Sequence, residues 1–140
     1  MAMQDIKTSN EVGKIIADAI KSSNRKIAIL ASSDFSHVGF NYATMPPAGV
    51  RVDQYADSQD KLAIEKILNL DAKGLIECVE QNNITMCGSG PIAAMITALK
   101  ALGAKKAELL KYGTSYEVHP SDSCVGYGAV SYTHLRAHET

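Results

Sequence analysis

Lys26-Ile27-Ala28-Ile29-Leu30-Ala31-Ser32-Ser33-Asp34-Phe35-Ser36-His37 is the stretch that decides how this chain is read. Its first six residues form a short apolar run without alternation, as in a strand covered by helices on both faces, and they predict a buried, parallel strand. The polar residues that follow stand where open α/β sheets place their ligand crevices, so chemistry is expected first at Asp34 and His37. Toward the N-terminus, Thr8-Ser9-Asn10-Glu11 has the form of a capping box. Val12, Ile15, Ile16, Ala19 and Ile20 recur behind it at helical spacing. Toward the C-terminus, Pro46, Pro47 and Gly49 make residues 41–51 a loop.

Leu62, Ala63, Ile64, Ile67 and Leu68 predict a helix ending near Asn69, and Asp71 caps another whose inward face is Leu75, Ile76 and Val79. A further helix, with Pro91 at its first position, runs through Ile92, Met95, Ile96, Leu99 and Leu102 to a stop at Gly103. Residues 107–116 and 125–132 are strand candidates separated by Pro120-Ser121-Asp122. The sum is an α/β domain, a sheet flanked by helices. Residues 133–140 break with this pattern and resemble translated adapter or vector sequence, so they are set aside. His134 and His138, four apart, would share a helix face as a zinc pair does, but no glutamate accompanies them and no third ligand lies nearby.

Composition narrows the function classes. With 46% hydrophobic and 21% charged residues, the 140-residue chain reads as one globular domain. A net charge of -1 gives no field for nucleic acid or anionic lipid. The longest apolar runs fall far short of the roughly 18 residues that span a bilayer, so no membrane partner is expected. Gln4, Asp5 and Lys7 interrupt what a secretory signal would need, which predicts a cytoplasmic protein. Cys78, Cys87 and Cys124 are odd in number and contain no CxxC pair, arguing for reduced thiols.

Of the three, Cys87 precedes a helix N-terminus, where unpaired N–H groups favour a thiolate that ligates metal or attacks carbon. The structural alternative is a small buried hydrophobe. Gly88-Ser89-Gly90 beside it permits close approach of a ligand. Cys78 and Cys124 read as structural, and His119 and Lys105-Lys106 as surface. Asp34 and His37 supply a carboxylate that orients or ligates and an imidazole that ligates or moves protons.

The Ser32-Ser33-Asp34-Phe35-Ser36-His37 block, then Leu70-Asp71, Met86-Cys87-Gly88-Ser89-Gly90-Pro91-Ile92, Leu109-Leu110-Lys111-Tyr112, Thr114-Ser115 and Val125-Gly126-Tyr127 together resemble the C-terminal half of the Memo family, AmmeMemoRadiSam system protein B. The resemblance covers residues 10–132 and makes residues 1–132 a fragment of a Memo-like domain. It implies a fold similar to class III extradiol dioxygenases with a non-haem metal pocket. There Cys87 would be a ligand, Asp34 and His37 would line the pocket, and two histidines of the family's N-terminal half, without counterpart here, would complete the site.

On that basis the leading expectation is metal-dependent redox or dioxygenase-like chemistry in the full-length form. Iron or copper would be held by Cys87 and His37, with His37 as acid/base and Asp34 orienting it. The fragment alone is expected to be inactive, and a radical-SAM partner is implied only by the system name. A second reading is a non-enzymatic module binding phosphorylated or other anionic peptides or small molecules at Gly88, Ser89 and Gly90. A third is hydrolysis by a Cys87 nucleophile with His37 as base.

Overall fold

Asp5 starts the first helix. Its carboxylate accepts from the Thr8 amide at 2.8 Å and from the Thr8 hydroxyl at 2.9 Å, and α1 runs Ile6–Ser22. The cap therefore lies one turn before the expected Thr8–Glu11 box. The computed structural model describes residues 1–133, so His134 and His138 and all of the proposed tail except Thr133 lie outside the described residues.

The face that α1 buries also differs from expectation. Ser9, Gly13 and Ala17 are its buried residues, while Ile15 is exposed. Their spacing of four makes a stripe of small side chains, which lets the backbone of α1 close on α4 (Ser89–Ala101). A Cβ on Gly13 would lie 2.6 Å from the Ala94 carbonyl oxygen, so only glycine allows this approach.

Residues 26–31 do not form the buried strand their composition predicts. They lack regular structure, no ladder pairs them among the described residues, and Ile27 and Leu30 are exposed, Leu30 at 92%. An apolar run becomes a strand only when a neighbouring strand takes up its N–H and C=O groups and helices cover its faces. The first strand, β1, is instead the short His37–Gly39.

α2 spans Val52–Leu68, starting ten residues before the apolar pattern at Leu62, and α3 spans Ala72–Gln81 with Asp71 capping it through the Gly74 amide at 2.9 Å. α4 begins at Ser89, so Pro91 sits two positions further in than expected, still within the first turn where its missing N–H costs nothing. It ends as anticipated: Gly103, at φ +99°, donates to the Lys100 carbonyl while Ala104 donates to that of Leu99.

The chain closes with the hairpin β2 (Lys106–Thr114) and β3 (Ser123–Thr133), the latter taking in Thr133 as its last residue. β3 is central in a three-stranded sheet of order β1-β3-β2, antiparallel throughout, which overturns the parallel arrangement. The fold is nonetheless α/β. Its main core joins Ile64 and Ile67 of α2, Leu75 and Cys78 of α3, and Ile92 and Ile96 of α4 with Phe35, Ile84 and Met86. A smaller cluster of Val38, Val52, Ala56 and Cys124 seats the start of α2 on β1 and β3.

Candidate functional site

Thr85 organises the site, although nothing in its own residue type announces this. It lies between the buried Ile84 and Met86 in the approach to α4. Its hydroxyl accepts from the His37 amide at 2.8 Å and donates to the His37 carbonyl at 2.9 Å, fastening the start of β1 to that approach. The Thr85 carbonyl also lies 2.9 Å from His37 Nδ1. A carbonyl only accepts, so Nδ1 carries the proton and a neutral ring turns its Nε2 lone pair the other way. Tyr42 packs edge-on against the ring, with centroids 5.1 Å apart.

What Nε2 faces is Asp34. Its Oδ2 stands 3.0 Å from Nε2, and its Oδ1 accepts from Cys87 Sγ at 3.0 Å. The three expected residues are thus brought together from two segments fifty residues apart in sequence. Their order is thiol, carboxylate, imidazole, with the carboxylate in the middle. Two acceptors cannot hold each other at 3.0 Å, so the Asp34–His37 contact requires one proton beyond a neutral ring and a carboxylate, or a cation in its stead. Sγ and Nε2 each face Asp34 and not a common centre. Among the described residues no group of three histidine, cysteine or acidic side chains holds a metal ion by itself.

The glycine turn is enclosed by the chain's own side chains. The Gly88 amide donates to Ser33 Oγ at 2.9 Å, and the Gly90 amide to Gln4 Oε1 at 2.9 Å. Gln4 Nε2 in turn donates to the Cys87 carbonyl at 3.0 Å. A Cβ at Gly88 would meet Ser33 at 2.5 Å and one at Gly90 would meet Gln4 at 2.8 Å. The glycines therefore admit Ser33 and Gln4, and an anion binding at these amides would have to displace them. Ser33 also lies 3.9 Å from Cys87 Sγ and donates to the Asp34 carbonyl. Sequence reasoning missed Thr85, Gln4 and Ser33 as site residues. The one available signal was the polar Thr85 flanked by apolar neighbours.

Comparison with known proteins decides the family. The family described as Memo-like protein matches residues 1–131. The chain belongs to the Memo family. MEMO1 family proteins of Methanopyrus kandleri and Methanosarcina barkeri are 42% and 44% identical to it over 131 residues, 93% of this chain. One from Methanococcus vannielii is 43% identical over the same length. The matched regions make up 42% to 45% of those relatives, so the chain spans under half the length of the Memo proteins it matches.

Within this Memo chain the three cysteines divide by environment. Cys87 is exposed, whereas Cys78 and Cys124 are buried. Burial raises the Cys78 thiol and pushes Cys124 up to about 11, so both stay neutral in the core. No helix among the described residues is long and apolar enough to cross a membrane.

Proposed function

We propose that this chain supplies part of a metal-dependent redox centre of a longer Memo protein, with iron or copper held by Cys87 and His37, Asp34 beside both, and the Thr85 carbonyl orienting the ring. The observation that supports it is the pair of contacts on Asp34, which gathers a soft sulfur and an imidazole at one carboxylate. The Nδ1–H of His37, committed to the Thr85 carbonyl, leaves Nε2 as the ligating atom, the arrangement usual for metal-bound histidine. Sulfur beside imidazole suits copper(I) or iron better than magnesium. A bound ion of this kind would supply one-electron chemistry and would take the place of the proton between His37 Nε2 and Asp34, leaving that carboxylate beside it as a proton acceptor.

The remaining ligands belong, on this reading, to the part of the relatives that the chain does not span. The similarity to the class III extradiol dioxygenase fold, a cytoplasmic setting and a radical-SAM partner are parts of the same proposal and rest on the family resemblance. The hydrolytic alternative fits the geometry less well, because the group touching Sγ is Asp34 and not the imidazole.

The test is titration with copper(I) and iron(II) of this chain, its Cys87→Ser variant and a full-length Memo relative. This chain should bind at least about tenfold more weakly than the full-length protein, and Cys87→Ser should lose the sulfur-to-metal absorption. Equal affinities would remove the shared-site argument. Unchanged spectra in the serine variant would remove Cys87 as a ligand.

A further inference from the structure

Between Asp34 and His37 the main chain is gripped at three points, and one grip comes from a side chain that the proposed chemistry does not use. The Phe35 amide donates to the Gly126 carbonyl at 2.8 Å, and the Gly126 amide donates to the Ser36 carbonyl at 2.9 Å. The Ser36 amide turns the other way and donates to Asp60 Oδ1 on α2 at 2.9 Å. The other oxygen of Asp60 accepts from the Tyr112 hydroxyl of β2 at 2.6 Å. Asp60 has no exposed surface. Ser36 is held through its main chain alone, since its buried hydroxyl finds no partner.

From this geometry we infer that Asp60 is a positioning residue for the Asp34, His37 and Cys87 cluster, clamping the Phe35–Ser36 segment so that the carboxylate and the imidazole flanking it meet. The inference rests on reading that cluster as the functional site.

Three features make the clamp specific to a carboxylate. A backbone N–H only donates, and the Tyr112 hydroxyl donates here too, so the group between them must accept twice and donate nothing. An aspartate does this, whereas an asparagine presents an NH2 to one of the two donors. Space is reserved for it as well. A Cβ on Gly126 would lie 2.0 Å from Asp60 Oδ2 and 2.8 Å from the Tyr112 oxygen, so glycine at 126 leaves the carboxylate its seat. Finally, a fully buried acid is an expensive way to hold a fold together, because desolvation opposes its charge and apolar packing serves that purpose at less cost. What the acid adds is a fixed position for one particular peptide N–H.

The test uses the 140-residue chain without metal. Cys87 is its one exposed thiol, so its rate of alkylation by iodoacetamide reports on the contact with Asp34. The 15N signals of the His37 ring report on the contacts at Nδ1 and Nε2. Asp60→Asn should change the alkylation rate by about threefold or more and move the Nε2 signal. Tyr112→Phe, which leaves Asp60 one donor short, should move both in the same direction by less. Ile76→Ala, a buried substitution on α3 outside the core cluster that holds Phe35 and Met86, serves as the control for lost stability and should leave both readouts of the folded protein unchanged.

If Asp60→Asn behaves like Ile76→Ala, Asp60 only stabilises the fold and the inference is overturned. Should Asp60→Asn fail to fold, Tyr112→Phe decides by the same two readouts. Because no metal is present, shifted readouts beside a failed metal titration would leave the positioning role standing while the redox proposal falls. The reverse pattern would do the opposite.

Discussion

Asp34 and Asp60 are the same side chain in opposite service. Each accepts two contacts and each ties together elements distant in sequence. Asp60 is fully buried and takes a backbone N–H and a phenol, donors that keep their protons at ordinary pH. The Asp34 side chain is 29% exposed and takes a thiol and an imidazole, which give protons up. The difference teaches that a carboxylate's role is set by what it faces and how much water reaches it. Stable donors in a dry setting make a strut, and labile donors near solvent make a place where charge can change.

The sharpest way to break this contrast is to remove each acid in turn. Asp60→Ala leaves a buried amide and a buried hydroxyl without an acceptor and opens a void, and should cost about 3–5 kcal/mol in urea unfolding. A loss below 1 kcal/mol would mean that water replaces the carboxylate and that the strut description is wrong.

A smaller effect should appear with pH. Burial raises the Asp60 carboxyl above its ordinary 3.8, against the lowering pull of Ser36 and Tyr112. The folded state then keeps this proton to higher pH than the unfolded chain, so folding takes up a proton in the window above 3.8. Stability contributed by this group rises as pH falls through its folded value and is lost as pH climbs. Relative to Asp60→Asn, the parent should therefore gain stability on acidification in denaturant midpoints taken across that window. The opposite slope would show that the two donors outweigh desolvation.

Smallest in stability should be Asp34→Asn, within about 1 kcal/mol because solvent already reaches the pair. Its effect belongs in chemistry: the alkylation rate of Cys87 should change although the melt hardly moves. A large loss of stability with an unaltered thiol would reverse the roles assigned to the two acids.

Local pattern carries α3, α4 and the β2–β3 hairpin, because there the apolar spacing, the Asp71 cap and the Gly103 stop all act within a few residues. It fails for residues 26–31, whose hydrophobicity is satisfied only if other elements cover them. It fails again for the first ten residues of α2, whose front is polar and whose buried Asp60 looks like any surface acid in sequence. The site was legible at Asp34, His37 and Cys87, whose residue types carry chemistry. Thr85, Gln4 and Ser33 were not, because their side chains bond the backbone of residues distant in sequence and depend on a meeting of segments that no spacing rule describes.

The small-residue seam between α1 and α4 has one more effect. Main chain rests there almost directly on main chain, with no long side chains between to yield, so the gap between the two helices has a set thickness. Gln4, one residue ahead of the Asp5 cap, inherits that dimension and delivers it to the carbonyl of Cys87. The helix works as a feeler gauge: an added methyl at Gly13 would press on the Ala94 carbonyl and Thr97 of α4, against the same gap that Gln4 spans to the Cys87 carbonyl.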